Sequence, residues 1–309
     1  MRSPGRETRG GVAAAIIGYM TEDLDERLRR LQASGTADAD VDALIDLGCD
    51  LADAGRQSDA EWCFRRASDL GDTVASFNLG NALAAQQRWE EAVAAYELAL
   101  DGGEPDAWRN LGKVLEDLGD LAGAMRAYRG AADAGDLEGG LQLAFLLREQ
   151  GERHAAMDVA KEIAAMGDQE AAAVVACWQW CATLDPGLEP QLRAGQNFFP
   201  AARADLAHLL RATGRKDEAR FVLERGAKLG EAVAWLPLGN FYADEMEDDE
   251  AAEEAYRGGI AAGEAYCHHN LAVLLAERGD FDGAVEQFRL GAAAGDQLAA
   301  DALRELERG

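Results

Sequence analysis

An all-α array of stacked helical hairpins is the fold this sequence predicts, and three recurrences predict it. Glycine followed by an acid returns at Gly71-Asp72, Gly103-Glu104, Gly135-Asp136, Gly167-Asp168, Gly230-Glu231, Gly263-Glu264 and Gly295-Asp296, in steps of 32, 32, 32, 63, 33 and 32 residues. Leucine followed by a small residue keeps the same beat at Leu47-Gly48, Leu79-Gly80, Leu111-Gly112, Leu143-Ala144, Leu206-Ala207, Leu238-Gly239 and Leu271-Ala272. Between turns the apolar residues fall three and four apart, as at Leu111, Val114, Leu115 and Leu118, with no strand-like alternation of useful length.

Each recurrence has a physical task. Glycine takes the left-handed conformation that ends a helix without steric cost, and the acid after it caps the next helix or meets the positive end of its dipole. A turn glycine follows the small residue by seven positions at Gly55, Gly119, Gly151, Gly214 and Gly279. Five further on stands an alanine, as at Ala60 or Ala124, and four later in several units a ring: Phe64, Tyr96, Tyr128, Phe288. Each unit is therefore two helices of about 12 to 14 residues joined by a tight turn. The small residues are expected to let the two backbones approach while leucines and rings fill the flanking grooves.

Along the chain, residues 1–19 are expected to be a disordered or non-native extension, since Met20 opens a cleaner sequence. Residues 20–40 form an N-terminal capping helix with Leu24, Leu28 and Leu31 inward, and 41–296 hold eight hairpins. The fifth, 169–199, is degenerate: Pro186, Pro190 and Pro200 predict a short or displaced second helix. Pro237 predicts a late start or a kink in the first helix of the seventh unit, whose extra residue falls in the acidic turn Asp244–Glu250. Residues 297–309 are a C-terminal capping helix with Leu303 inward.

Composition narrows the partners. The 57 acids outnumber 30 bases for a formal charge of −27, a field that repels nucleic acid and anionic lipid and favours basic protein segments. Five cysteines (Cys49, Cys63, Cys177, Cys181, Cys267) lie inside helical patterns, which predicts reduced thiols in the cytoplasm, not a disulfide framework. No apolar run reaches the roughly 18 residues of a spanning helix.

The units resemble the tetratricopeptide repeat, whose signature is W-x2-L-G-x2-Y, then A-x3-F, then P. Trp235, Leu238-Gly239 and Tyr242 match its first half; Ala92 with Tyr96 and Ala124 with Tyr128 match its second. The glycine-acid ending, where the family has proline, is similar to the Sel1-like repeats. The resemblance covers about residues 40–309 and implies a right-handed α-solenoid of about eight repeats, used as a protein-interaction scaffold or adaptor. In such proteins a peptide lies along the first helices, held by asparagines near the Leu-Gly pair. The matching residues are Asn78, Asn110 and Asn270; one turn along the same face come Asn81, Lys113 and Asn240, and Arg109 lies beside Asn110. An amide offers donor and acceptor together and pairs with any peptide group. Acids around this face, Asp46, Glu116, Asp117, Glu138, Asp205 and Asp244 among them, point to a basic segment, with Arg109 and Lys113 receiving an acid or a carboxyl terminus. Alternatively the asparagines bridge neighbouring helices. The runner-up function is a regulatory sensor array that binds a small peptide signal.

Catalysis is not expected. The sequence has no phosphate-binding glycine loop, no nucleophile elbow and no HExxH. Cys177 and Cys181 share a helix face, with His208 one repeat on, but two thiolates do not complete a zinc site. No cofactor, metal, nucleic acid or membrane partner is expected.

Overall fold

The computed structural model describes residues 24–33 and 40–306; the expected extension 1–19, the rest of 1–23, 34–39 and 307–309 lie outside the described residues. Every regular element among the described residues is helical. Two compact units divide between Ala156 and Met157. The first holds α1 (24–33), α2 (Val41–Asp53), α3 (Gln57–Asp69), α4 (Thr73–Ala85), α5 (Trp89–Asp101), α6 (Ala107–Asp117), α7 (Leu121–Asp133) and α8 (Leu137–Glu149). Helix α9 (Arg153–Ala165) contains the division. The second unit continues with α10 (Gln169–Thr183), α11 (Glu189–Gly195), α12 (Pro200–Ala212), α13 (Lys216–Lys228), α14 (Ala232–Met246), α15 (Asp249–Ala261), α16 (Cys267–Glu277), α17 (Phe281–Ala293) and α18 (Gln297–Leu306).

In the first unit each helix from α2 to α7 packs on the next, and the even-numbered helices also touch one another, α4 on α6 and α6 on α8. The second unit repeats this pattern, with α10, α12 and α14 in succession and α16 on α18. First helices of successive hairpins therefore form one layer within each unit.

The glycine-acid pair builds the junctions. After α3 the Gly71 N–H reaches the Ser68 carbonyl at 2.8 Å and the Asp72 N–H reaches that of Ala67 at 3.2 Å, with Gly71 at φ +92°. Asp72 then accepts the Ala75 N–H at 2.7 Å and opens α4. Asp136, Asp168 and Asp296 do the same for α8, α10 and α18. The glutamates do not: α14 starts at Glu231 without a side-chain cap, and α6 and α16 start three residues after Glu104 and Glu264. Aspartate has the reach of a capping residue; the extra methylene of glutamate forfeits it.

At the turn inside each hairpin, Gly55 has φ +76°, and Gln87 holds the equivalent place at φ +58°. In the seventh hairpin the extra residue is absorbed at the end of α14, where the N–H groups of Glu247 and Asp248 both reach the Tyr242 carbonyl. Helix α14 runs unbroken from Ala232 through Pro237, so the late start is not found. The bond proline forfeits there is to the carbonyl of Val233, in the exposed first turn. In the fifth hairpin α11 has only seven residues and follows a 3-10 turn at Pro186–Leu188.

The small member of the Leu-Gly pair does something other than expected: it seats a ring. A Cβ on Gly48, Gly80 or Gly112 would lie 2.5 Å from the ring of Phe64, Tyr96 or Tyr128 respectively. A second fit pairs a bulky group on the first helix with glycine on the second. Trp108 lies over Gly130, Arg203 over Gly226, Trp235 over Gly258 and His268 over Gly291.

Leu24 and Leu28 of α1 are buried with Leu47 and Leu51, and Leu31 packs alongside. At the other end Ala299 is buried and Leu303 packs against the core of α15 to α17. Arginines at the hairpin turns tie neighbouring hairpins on the outside. Arg56 bridges Asp25 and Asp59, Arg88 bridges Glu61 and Glu91, and Arg215 bridges Glu189 and Glu218. Solvent screens such surface pairs, so they contribute little to stability.

Candidate peptide-binding face

Helices α4 and α6 lie side by side, and their facing amides meet. Asn81 Oδ1 accepts the Asn110 Nδ2–H and the Tyr96 hydroxyl, each at 2.8 Å. The second unit repeats the arrangement: Asn240 Oδ1 accepts from Asn270 Nδ2 at 2.6 Å and from the Tyr256 hydroxyl at 2.8 Å. Both phenols are buried, and burial pushes each up to about 12, so they stay donors at neutral pH.

A groove of about 290 Å³ opens beside the first amide pair. Asn81, Asn110, Lys113 and Asp117 give it polar edges, while Trp89 and Val114 give it apolar walls. The amide pair spends one oxygen and one nitrogen internally. Among the described residues the Asn81 Nδ2 and the Asn110 Oδ1 have no hydrogen-bond partner, a spare donor beside a spare acceptor.

The other predicted residues are placed differently. Arg109 does not line this groove; its guanidinium is held by Asp136 at 2.9 Å and Glu138 at 2.7 Å. Asn78 is half-buried, one turn before Asn81, with no hydrogen-bond partner among the described residues. Asn240 and Asn270 belong to the second unit. Of the acids expected on this face, Glu138 is taken by Arg109 and Glu116 by the Tyr128 hydroxyl.

The tyrosines are the members that sequence reading passed over, although the signal was there. The ring stands 15 residues after the position held by Asn81, and 16 in the lengthened seventh hairpin, where Tyr256 follows Asn240. Where it is phenylalanine, at Phe64 and Phe288, that position holds Cys49 and Val273; Tyr128 finds Lys113 there and donates to Glu116 instead.

In α10 and α12 the places of Asn81 and Asn110 are held by Cys177 and Asp205. The Cys177 thiol bonds to the Asp205 carboxylate, and burial pushes the thiol well above its ordinary value. Burial also raises the Asp205 carboxyl above the ordinary 3.8, against the Cys177 bond and the His208 charge, which favour its ionised form. The His208 ring meets Trp180 edge-on at 5.6 Å. Because the native state prefers the protonated acid, stability falls as pH rises from about 3.8 through the native pKa of this group. Asp205→Asn is expected to raise the thermal midpoint at pH 7, with the gain shrinking towards pH 4. Equal midpoints at both pH values would refute a strained carboxylate.

Burial likewise pushes the thiols of Cys63 and Cys267 up to about 12, which leaves them protonated and poor nucleophiles. Among the described residues no three of His, Cys, Asp and Glu gather to hold a metal ion. His268 Nδ1 pairs with Gln287 Oε1 at 2.9 Å, and the His269 ring packs on Phe288. No helix among the described residues is long and apolar enough to cross a membrane.

Residues 75–106, most of α4 and all of α5, match the tetratricopeptide repeat family model. This stretch is a tetratricopeptide repeat. It contains Asn78, Asn81 and Tyr96, and its end lies four residues before Asn110. The solved Sel1 repeat protein from Oxalobacter formigenes is similar over 94% of this chain and 93% of its own, at 19% identity and a TM-score of 0.62. A protective antigen of uropathogenic Escherichia coli with an SLR fold matches 91% of this chain and 73% of its own, with 19% identity and a TM-score of 0.46. A tetratricopeptide repeat protein from Parabacteroides merdae matches 85% of this chain and 97% of its own, with 15% identity and a TM-score of 0.47. No curated protein sequence matches the chain. The fold is the all-α repeat solenoid of tetratricopeptide and Sel1-like proteins.

Proposed function

We propose that this chain is a non-catalytic, cytoplasmic scaffold or adaptor that captures a peptide segment of a protein partner along its first helices. The observation that carries this reading is the spare amide donor and acceptor of Asn81 and Asn110, two residues that line the groove. They match the two sides of one peptide group, whatever its side chain. Asn78 extends the same face, and Lys113 receives an acid or the carboxyl terminus of the segment. Asn240 and Asn270 provide an equivalent amide pair in the second unit. Arg109 contributes only if the ligand displaces Asp136 and Glu138. A basic stretch in the ligand is favoured by Asp117 and by the charge of −27. In this reading residues 41–296 are eight working hairpins, and α1 and α18 cap them.

Affinity capture from native lysate at two salt concentrations supplies the partner. Asn78→Ala with Lys113→Ala, two side chains without internal partners, should weaken it about tenfold, or about 1.4 kcal/mol, with an unchanged thermal midpoint. Capture that ignores both the double variant and the salt would rule the reading out.

A further inference from the structure

In the first unit, one gap between neighbouring second helices is tied shut and the next is left open. Across α3 and α5 the ties are Arg88 to Glu61 at 2.6 Å and Arg65 to Glu91 at 3.5 Å, and the Ser68 and Ser76 hydroxyls meet at 2.7 Å. One repeat of 32 residues on, between α5 and α7, the places of Arg65 and Arg88 are held by Glu97 and Asp120. Those of Glu61 and Glu91 are held by Val93 and Gly123, and those of the two serines by Leu100 and Trp108. Both ion pairs across the gap are lost.

What remains is a groove of about 400 Å³. Trp108, Leu111 and Leu115 line it from α6, at the helical spacing of one face, and Leu100 joins them from α5. The amide groove lies against another face of the same helix, that of Asn110, Lys113 and Val114. Three carboxylates, Glu97, Asp101 and Asp120, line the new groove against a single guanidinium, that of Arg126. Glu97, Asp101 and Arg126 are exposed and have no ion-pair partner among the described residues. Asp120 spends one oxygen on the Gly123 N–H at 2.9 Å.

We propose that the gap between α5 and α7 is a second docking surface, and that its occupant is a basic protein segment with one large apolar side chain. The apolar side chain lies on Trp108 and Leu115. An arginine or lysine beside it enters between Glu97 and Asp120, where it supplies the cation that Arg65 and Arg88 provide across α3 and α5. Charge selects this occupant, because carboxylates outnumber the cation three to one in the groove and the chain carries −27 overall. An acidic segment would meet carboxylates on both walls with only Arg126 to receive it. This surface is separate from the amide groove and stands or falls without it.

The test is a selection from a random 12-residue peptide library on the full-length protein carrying Asn78→Ala and Lys113→Ala, which weakens the amide groove beforehand. Selected peptides are expected to place an arginine or lysine beside a large apolar residue and to bind more weakly at high salt. Adding Glu97→Lys with Asp101→Lys should cost at least tenfold in affinity, with an unchanged thermal midpoint, because both side chains are exposed and unpaired. Replacing the apolar residue of the peptide by serine should cost at least tenfold as well. Asp42→Lys with Asp46→Lys makes the same change of net charge on α2 and should leave the affinity within about twofold. An empty selection, acidic peptides, or binding indifferent to the α5 variants would overturn the proposal. So would an equal loss on the α2 variants, or full affinity in the serine peptide, either of which would mark a general attraction of cations to an acidic chain.

Discussion

Replacing Arg203 with methionine is expected to destabilise the second unit by about 3–5 kcal/mol, the cost of stranding one member of a buried ion pair. The Arg203 side chain is 1% exposed and its Glu231 partner 14%. The guanidinium donates to Glu231 through Nε at 2.7 Å and Nη2 at 3.1 Å, and to Gln196 at its side-chain and main-chain oxygens at 2.9 and 2.8 Å. One side chain on α12 thus holds the end of α11 and the start of α14. It fits only because Gly226 on α13 is bare: a Cβ there would lie 2.7 Å from the Arg203 Cδ. Without the arginine, Glu231 and the Gln196 carbonyl keep their burial and lose their donors. Arg203→Met with Glu231→Leu should recover much of the loss, because replacing both charges by apolar groups removes the unpaired one. Denaturant unfolding, with hydrogen exchange to localise the loss, reads the outcome. A single variant within about 1 kcal/mol of the parent would mean that solvent reaches the pair.

The hairpin fold was legible because its markers are conformational. Gly71 and its equivalents sit at positive φ where the sequence has only glycine to offer, and the repeat spacing of Leu79 and Leu111 is the spacing of buried positions. What escaped sequence reading are the partners that depend on the next repeat. Arg203 looks like one more surface arginine until Glu231, 28 residues on, is seen at the same height. Asn110 was identifiable as a first-helix amide, but its bond to Asn81 depends on the stacking of α4 and α6. Arg109, its neighbour in sequence, points to Asp136 in α8's cap instead. Adjacent helical positions are turned about a third of a circle apart, so sequence proximity alone could not group them in one groove.

Gly112→Leu should cost more than the roughly 1–3 kcal/mol typical of overpacking, because the space in question is already occupied by a ring. Even alanine at this position would bring its Cβ to 2.5 Å from the Tyr128 Cε1, and leucine adds three further carbons in the same direction. Tyr128 cannot yield easily: it is buried, and its hydroxyl is fastened to Glu116. The sequence itself contains the relief. In the next hairpin Ala160 holds the place of the ring and Ala144 that of Gly112, so the sequence has a larger residue than glycine where there is no ring to seat. Gly112→Ala should therefore destabilise the parent but add little to Tyr128→Ala, whose own loss is about 3–5 kcal/mol for a buried ring. A double-mutant cycle measured by denaturant unfolding isolates the contact. Strictly additive losses would show that glycine at this position serves the backbone crossing after all, and not the ring.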